Sequence, residues 1–387
     1  MPVTGKIVVF VPFIDAFGGV ERQVLDLSRF LHDAGKPHTI LCLGCSIDLA
    51  SHADRPIDLH VLAPPRNPIA EGYALARYFR DPAHSAVQAP LFFDLKGAFY
   101  AGLFRLPDFH LHLTDPPSLL PKDVSKFAWS MRGAFKNANR ERPAIGIALR
   151  GEIVHRIVKR GVRRARSVIA TTRANANEIA VRYAKPAVVI HPGVQPPHGQ
   201  FQVGGGGLDR LRFLSVSRLE ESKRIDWMLR AFAAIEASQD PLSATADWRL
   251  DVVGDGPQRD SLRALASGLG LADRVVFHGR VSDAQLDELY AKASVFLMPA
   301  VQGYGLPALE SLLRRVPVVL HRDSGVSELL NAPPWVELVE RDADDLAQAI
   351  RRMVAHIASG ALRSVPVPSV PLADDWAKKI VAVCAWS

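Results

Sequence analysis

Apolar residues along the chain fall into short runs separated by segments of helical spacing. The first half predicts strands over Lys6–Phe13, His38–Leu43, Asp58–Leu62, Leu91–Asp94, Phe109–Thr114, Ser167–Thr171 and Val188–His191. After the first run, Val20, Val24, Leu27 and Leu31 share one helical face. Residues 151–166 place Ile153, Val154, Ile157, Val158, Val162 and Ala165 on one face, and Arg156, Lys159, Arg160, Arg163 and Arg164 on much of the rest. The second half restarts the pattern, with strands over Leu211–Val216, Trp248–Val253, Arg274–Phe277, Val295–Met298 and Val316–Leu320. Helices are predicted over Ile225–Ile235 and Gln258–Leu269, and a last one over Asp374–Ala385. Such alternation predicts an α/β protein with parallel sheets covered on both faces. Residues 196–208 are rich in proline and glycine and form the one clear linker. The expected domains are therefore 1–195 and 209–365, followed by a terminal segment over 366–387.

Composition narrows the class. The chain has 387 residues, 48% hydrophobic and 22% charged, enough for sizeable cores and unlike a disordered chain. No apolar run reaches membrane-spanning length, and MPVTGKIVVFVPF enters a strand-like run without a cleavage pattern. The expectation is a cytoplasmic protein, or a peripheral one on the inner face of the membrane. Cys42 and Cys45 form a CxxC with no second pair for zinc; within a strand-like run they read as core residues, with a redox pair as the alternative.

The net charge of +7 is unevenly placed. Thirteen basic and three acidic residues lie between Lys122 and Arg166, a local excess of ten that leaves the remainder three charges negative. A general nucleic-acid binder would not keep an acidic remainder. One basic region needs a partner, for which an anionic membrane is the expectation; a solvated basic surface and a polyanionic acceptor are the alternatives.

Chemistry concentrates in Ala293–Leu313: a buried strand, the turn Gln302-Gly303-Tyr304-Gly305, then a helix opened by Pro307. The backbone N–H groups of such a helix start form an anion site, and Glu310 lies one turn inside it. Taken alone, this is an ordinary strand-to-helix turn. Gly18 and Gly19 follow the first strand, but G-x-G-x-x-G is absent and a dinucleotide dehydrogenase is unsupported. Arg218 and Lys223, five residues apart at a strand end, can bracket a diphosphate, or pair with Glu220 and Glu221 as surface charge. His110 and His112 share a strand face; two further metal ligands are not evident.

The stretch Gln302-Gly-Tyr-Gly-Leu-Pro-Ala-Leu-Glu310 resembles E-G-F-G-L-P-x-L-E, the signature of the retaining family-four glycosyltransferases. Eight of nine positions agree or are conservative, the departure being Gln302. Gly18-Gly19-Val20-Glu21, His191-Pro-Gly-Val-Gln, Arg218…Lys223, Gly254-Asp-Gly-Pro and Phe277-His-Gly-Arg280-Val281 are similar to further family segments, although Asp283 comes one residue early. The resemblance implies a GT-B fold: two Rossmann-like domains with parallel sheets facing across a cleft, acceptor side first, and a terminal helix crossing back. It implies a UDP- or GDP-sugar donor, a glycan or glycolipid acceptor, no cofactor, no metal and no nucleic acid. Carried over residue by residue, the catalytic positions are His112, Arg218, Lys223 and Gln302. The donor-binding positions are Gly18, Gly19, Gly254, Arg280, Val281, Gly303, Tyr304, Gly305, Leu306, Pro307 and Glu310. Aligned on Pro116, Thr114 takes the family's histidine position; a two-residue shift gives it to His112. Gln302 keeps hydrogen-bonding reach and drops the charge. A non-catalytic nucleotide-sugar-binding partner is therefore the competing reading. A sugar-nucleotide epimerase of similar fold is a third, against which the 302–310 wording argues.

Overall fold

The computed structural model describes residues 5–84, 87–118, 144–197, 199, 201, 210–238 and 247–386, with residues 144–150 as helix backbone alone. Residues 202–208 of the predicted linker and the basic residues from Lys122 to Arg142 lie outside the described residues, as does the side chain of Arg150. The chain divides into two compact units. Unit 1 runs to Pro192 and takes in Ala373–Ser387; unit 2 is Gly193–Leu372.

Unit 1 is a seven-stranded sheet in the order β3-β2-β1-β4-β5-β6-β7. Its strands are β1 (Ile7–Ile14), β2 (His38–Cys45), β3 (Leu59–Val61), β4 (Leu91–Phe93), β5 (His110–Leu113), β6 (Val168–Ala170) and β7 (Val188–Val189), and all pairings are parallel. The helices are α1 (Gly19–Asp33), α2 (Pro68–Arg80), α3 (Asp94–Leu103), α4 (Ala144–Arg164) and α5 (Arg173–Tyr183). Strand side chains alternate between two apolar layers. Val8, Phe10, Leu41, Phe92 and Leu111 enter one layer. Ile7, Val9, Ile40, Leu91 and Phe93 enter the other.

That alternation also decides the cysteine pair. Cys42 and Cys45 lie three apart on β2, so their side chains leave opposite faces and cannot pair. Cys42 is buried, which pushes its thiol up to about 12, and the Cys45 thiol donates to the Ile47 carbonyl at 3.1 Å. The core reading holds and the redox alternative falls.

Helices α3 and α4 meet backbone to backbone. A Cβ at Gly102 would lie 2.1 Å from the Ile157 carbonyl oxygen, and one at Gly161 would lie 1.7 Å from that of Ala98. On α4, Val158, Val162 and Ala165 are buried against this crossing. Ile153, expected on the same face, is instead 50% exposed, because it lies at the edge of that face while its neighbour Val154 packs inward.

Unit 2 is a six-stranded sheet in the order β10-β9-β8-β11-β12-β13. Its strands are β8 (Arg212–Val216), β9 (Arg249–Val253), β10 (Val275–Gly279), β11 (Val295–Met298), β12 (Val318–His321) and β13 (Val336–Val339), again all parallel. The helices are α6 (Ile225–Ala237), α7 (Arg259–Gly268), α8 (Asp283–Lys292), α9 (Leu306–Leu313), α10 (Ala343–Ala358) and α11 (Ala361–Ser364). Strand β13 and helix α10 are additions to the sequence expectation. Leu346, Ile350 and Met353 of α10 share a core with Phe232 and Ile235 of α6.

The last helix, α12 (Ala373–Cys384), belongs to unit 1, where Trp376, Ala377, Ile380 and Cys384 pack with Val24, Leu27 and Leu31 of α1. Arg29 pairs with Asp374, and the Trp386 indole N–H donates to the Ala89 carbonyl at 2.9 Å. Residues 366–372, expected to travel with this helix, stay with unit 2, and Val194 forms a parallel bridge to Leu372.

Strand order reverses between β1 and β4 in unit 1, and between β8 and β11 in unit 2. At such a reversal the following helices diverge to opposite faces and leave a crevice at the carboxyl ends of the strands.

Candidate functional site

In unit 2 the loops after β8, β9 and β10 are locked together. Gly254 has φ 123°, a value that favours glycine, and a Cβ there would lie 1.9 Å from the Ser217 carbonyl oxygen. Its N–H donates to the Gly279 carbonyl at 2.8 Å, while the Leu219 N–H donates to that of Asp255 at 3.0 Å. This brings Gly254 against the loop carrying Arg218 and sets Arg280 and Val281 at the end of β10. Arg218 is exposed and pairs with Glu220 at 2.8 Å. The surface-pairing alternative is thus realised for Arg218. The Lys223 ammonium donates to the Gln302 side-chain oxygen at 2.8 Å.

The turn after β11 is shaped from behind. Gly325 N–H donates to the Gln302 carbonyl, and both Val326 N–H and Ser324 hydroxyl donate to that of Tyr304, each at 3.0 Å. With those carbonyls turned toward residues 324–326, the backbone can adopt φ 125° at Gly305 and open α9 at Leu306 with Pro307 in its first turn. No side chain caps α9. Gly303, Tyr304, Gly305 and Leu306 are buried, and burial raises the Tyr304 phenol. Glu310 is buried in the second turn of α9, with the Tyr290 hydroxyl at 3.5 Å. Arg224, left-handed at φ 53°, stacks 4.1 Å over Trp227 and its guanidinium reaches the Pro299 carbonyl at 3.4 Å, tying the β8 loop to the β11 loop. An uncapped helix start, glycine turns and cations at a switch point can hold a phosphate-bearing ligand.

In unit 1 the corresponding crevice is a hollow of about 240 Å³ at the ends of β1, β4 and β5. Phe13, Glu21, Asp94, Lys96, Thr114 and Asp115 line it. Asp94 sits at φ 71°, unusual for a residue with a side chain, and its carboxylate accepts the Leu95 N–H. Burial raises the Asp94 carboxyl above the usual range. The Lys96 ammonium lies 4.4 Å over the Phe13 ring. Gly18 and Gly19 are exposed at the start of α1, where the Gly18 N–H donates to Glu21 at 3.0 Å. The sequence pattern singles out neither Asp94 nor Lys96. The available signal is an acidic residue directly following an apolar strand run.

His112 lies in the core of unit 1. It is fully buried, with Phe93 at 4.8 Å and the Trp376 ring at 5.9 Å, and burial lowers its pKa to about 3. Its imidazole enters the layer that Trp376 of α12 covers, one residue before Leu113, which lines the hollow. His110 shares that face and bonds to the Ser167 hydroxyl at 2.7 Å. Among the described residues no three His, Cys, Asp or Glu side chains group as a metal site.

On α4, Arg156, Lys159, Arg160, Arg163 and Arg164 border an open hollow of about 480 Å³. Arg156 pairs with Glu152 at 2.9 Å, and Arg164 donates to the carbonyls of Ala101 and Phe104 at the end of α3. Among the described residues no helix is long and apolar enough to cross a membrane.

Residues 210–356 match the family described as glycosyl transferases group 1. The likeness to that family lies in this segment, within unit 2. The chain is similar, at 31% identity over 166 residues, to the GDP-mannose-dependent alpha-(1-6)-phosphatidylinositol monomannoside mannosyltransferase of Mycolicibacterium smegmatis, covering 41% of this chain and 42% of that one. It is 32% identical over 196 residues to the D-inositol 3-phosphate glycosyltransferase of Acidothermus cellulolyticus, covering 45% of this chain and 43% of that one. The chain thus matches these curated relatives over less than half of their length. Among solved structures, Anabaena Alr3699/HepE in complex with UDP-glucose has a TM-score of 0.69 at 16% identity, covering 98% of this chain and 99% of that one. WaaG, a glycosyltransferase involved in lipopolysaccharide biosynthesis, has a TM-score of 0.67 at 17% identity, covering 97% and 99%. At these identities the likeness concerns the fold, which is GT-B with two Rossmann-like units.

Proposed function

We propose that the chain is a retaining, metal-independent glycosyltransferase that moves a sugar from a UDP- or GDP-sugar to a polysaccharide or lipid-linked glycan acceptor. The observation that carries this reading is the Lys223–Gln302 contact beside the uncapped start of α9, inside the group 1 segment. Departure of a nucleoside diphosphate develops charge on the β-phosphate. Arg218, Lys223 and the backbone N–H groups of the 303–306 turn stabilise that charge, so no metal is needed to neutralise it. Glu310 binds the ribose hydroxyls and Gln302 the sugar, while Gly254, Arg280 and Val281 line the base side. The departing phosphate deprotonates the acceptor on the face it leaves, which retains the anomeric configuration. The unit 1 hollow, with Thr114 and Asp94, takes acceptor hydroxyls. Donor turnover with a glycan acceptor, followed by NMR of the product's anomeric carbon, tests the reading. An inverted product, or activity lost to a chelator and restored by manganese, removes it.

The competing reading is a nucleotide-sugar-binding partner without turnover, favoured by the neutral Gln302. Donor bound by calorimetry but neither hydrolysed nor transferred would establish it. We further propose that the basic face of α4 docks on an anionic membrane from the inner side. Lys159, Arg160 and Arg163, which have no acidic partner among the described residues, carry this reading. Each Lys or Arg near such a surface contributes on the order of 1 kcal/mol, weakened by salt. Sedimentation with phosphatidylglycerol vesicles checks it; binding indifferent to lipid charge counts against it.

A further inference from the structure

We propose that His321 is a positioning residue for the donor site: its neutral imidazole fixes the loop that holds the 302–305 turn from behind, and protonation of the ring loosens that turn. The proposal rests on the donor-site reading above. His321 ends β12 and is 2% exposed. The Asp323 N–H donates to its Nδ1 at 3.0 Å, so that nitrogen presents its lone pair. Its Nε2 lies 3.1 Å from the Glu340 carbonyl oxygen, which can only accept, so the ring proton sits on Nε2. Two backbone groups of opposite kind thus require a neutral ring in one tautomer. A second proton, on Nδ1, would face the Asp323 N–H and break that bond.

The loop carries the effect to the site. The Ser324 N–H donates to the His321 carbonyl at 3.0 Å, so residues 321–324 close on themselves around the ring. Ser324, Gly325 and Val326 then supply the bonds that hold the Gln302 and Tyr304 carbonyls. On the far side Asp345 of α10 accepts the N–H groups of Glu340 and Arg341 at 2.8 and 3.2 Å, which fixes the carbonyl that Nε2 meets. The charged groups facing the ring are Arg224 from the loop before α6, Asp323 beside it and Asp345 from α10; the Trp227 ring of α6 lies at 6.4 Å. Arg322 of the same loop pairs with Glu340 at 2.6 Å. Burial, followed by Arg224, holds the imidazole below its ordinary value, so the form that the loop requires is the one present at neutral pH.

The test is calorimetry of the full chain with UDP and GDP from about pH 8 to about pH 5, with the His321 ring followed by NMR on the same samples. His321→Asn places an amide oxygen where Nδ1 stood; His321→Gln leaves the Asp323 N–H without its acceptor. At neutral pH His321→Gln should bind the nucleotide at least tenfold more weakly than the native chain, and His321→Asn should restore most of the affinity. In the native chain the affinity relative to His321→Asn should hold while the ring is neutral and fall as it takes up its proton. The nucleotide's own phosphate titration is common to both chains and cancels. Native affinity in His321→Gln overturns the proposal and leaves the donor site standing, as does an affinity ratio that fails to follow the ring. If His321→Gln does not fold, the comparison of the native chain with His321→Asn decides. If neither UDP nor GDP binds the native chain, the donor-site reading falls and the proposal falls with it.

Discussion

The two units put their candidate chemistry in the same topological place and build it in opposite ways. In unit 2 the crevice between β8 and β11 is made of glycine turns, cations and an uncapped helix. In unit 1 the crevice between β1 and β4 holds Glu21, Asp94 and Asp115 with a single Lys96. One end presents cations at a helix start, and the other presents carboxylates. Identical topology thus sets where ligands can go, and the residues after each strand set what kind.

The largest expected effects probe what each crevice is built upon. Gly254→Ala would place carbon 1.9 Å from the Ser217 carbonyl oxygen and impose φ 123° on alanine. It should cost roughly 3 kcal/mol or more and abolish nucleotide binding, because the loops after β8 and β10 must part. Gly161→Ala, with its Cβ 1.7 Å from the Ala98 carbonyl oxygen, should cost a similar amount yet leave nucleotide affinity of the folded protein unchanged. Urea unfolding and calorimetry on the same samples check both. Equal loss of nucleotide affinity in the two variants would break the division of labour.

The next effect belongs to unit 1 alone. In the unfolded chain His112 takes up a proton near its ordinary value of 6.5, whereas burial holds it off until about 3 in the folded protein. Between those values the unfolded state binds more protons, so stability falls as pH falls, at up to about 1.4 kcal/mol per pH unit for this group. His112→Phe should flatten that limb of a stability-against-pH curve. An unchanged slope would mean that other groups, such as His110, whose pKa burial also lowers, carry it.

In unit 2, Arg218→Ala and Lys223→Ala should each weaken nucleoside diphosphate binding by roughly 1.5–3 kcal/mol, the scale of a charge-assisted hydrogen bond. For Arg218, Glu220→Ala sharpens the test: freeing the guanidinium from its 2.8 Å partner should tighten binding. The smallest expected effect is Asp94→Gly. Relief of φ 71° gains about 1 kcal/mol, offset by loss of the carboxylate that accepts the Leu95 N–H, so stability should hardly move. Turnover with acceptor should fall while bare nucleotide affinity holds. A variant with full turnover would remove Asp94 from the acceptor side.

How much of this was legible in the sequence follows the same contrast. The unit 2 crevice is written in consecutive residues. A strand, a glycine turn and a helix start sit within Val295–Leu313, and each has a local backbone requirement that restricts the residue types. The unit 1 crevice is assembled from three separated strand ends, and Asp94 was hidden because nothing local marks a left-handed aspartate. The burial of His112 is hidden for a related reason. Alternation along β5 puts it on a definite face, but what covers that face is α12, more than two hundred residues away. Strand β13 is faint in the sequence because Val336–Val339 is only four residues long and follows two prolines.

The position of α12 also has a consequence in time. Ribosomes add about 5–20 residues per second. The side of the unit 1 sheet that takes Trp376, Ile380 and Trp386 must therefore wait while Gly193–Leu372 is made, an interval of roughly ten to forty seconds at that rate. For that interval the apolar groove beside α1 is open on the ribosome. Holding it soluble is then a task for a chaperone, and a nascent chain stalled before residue 373 should be captured far more strongly than one stalled after residue 387 has emerged.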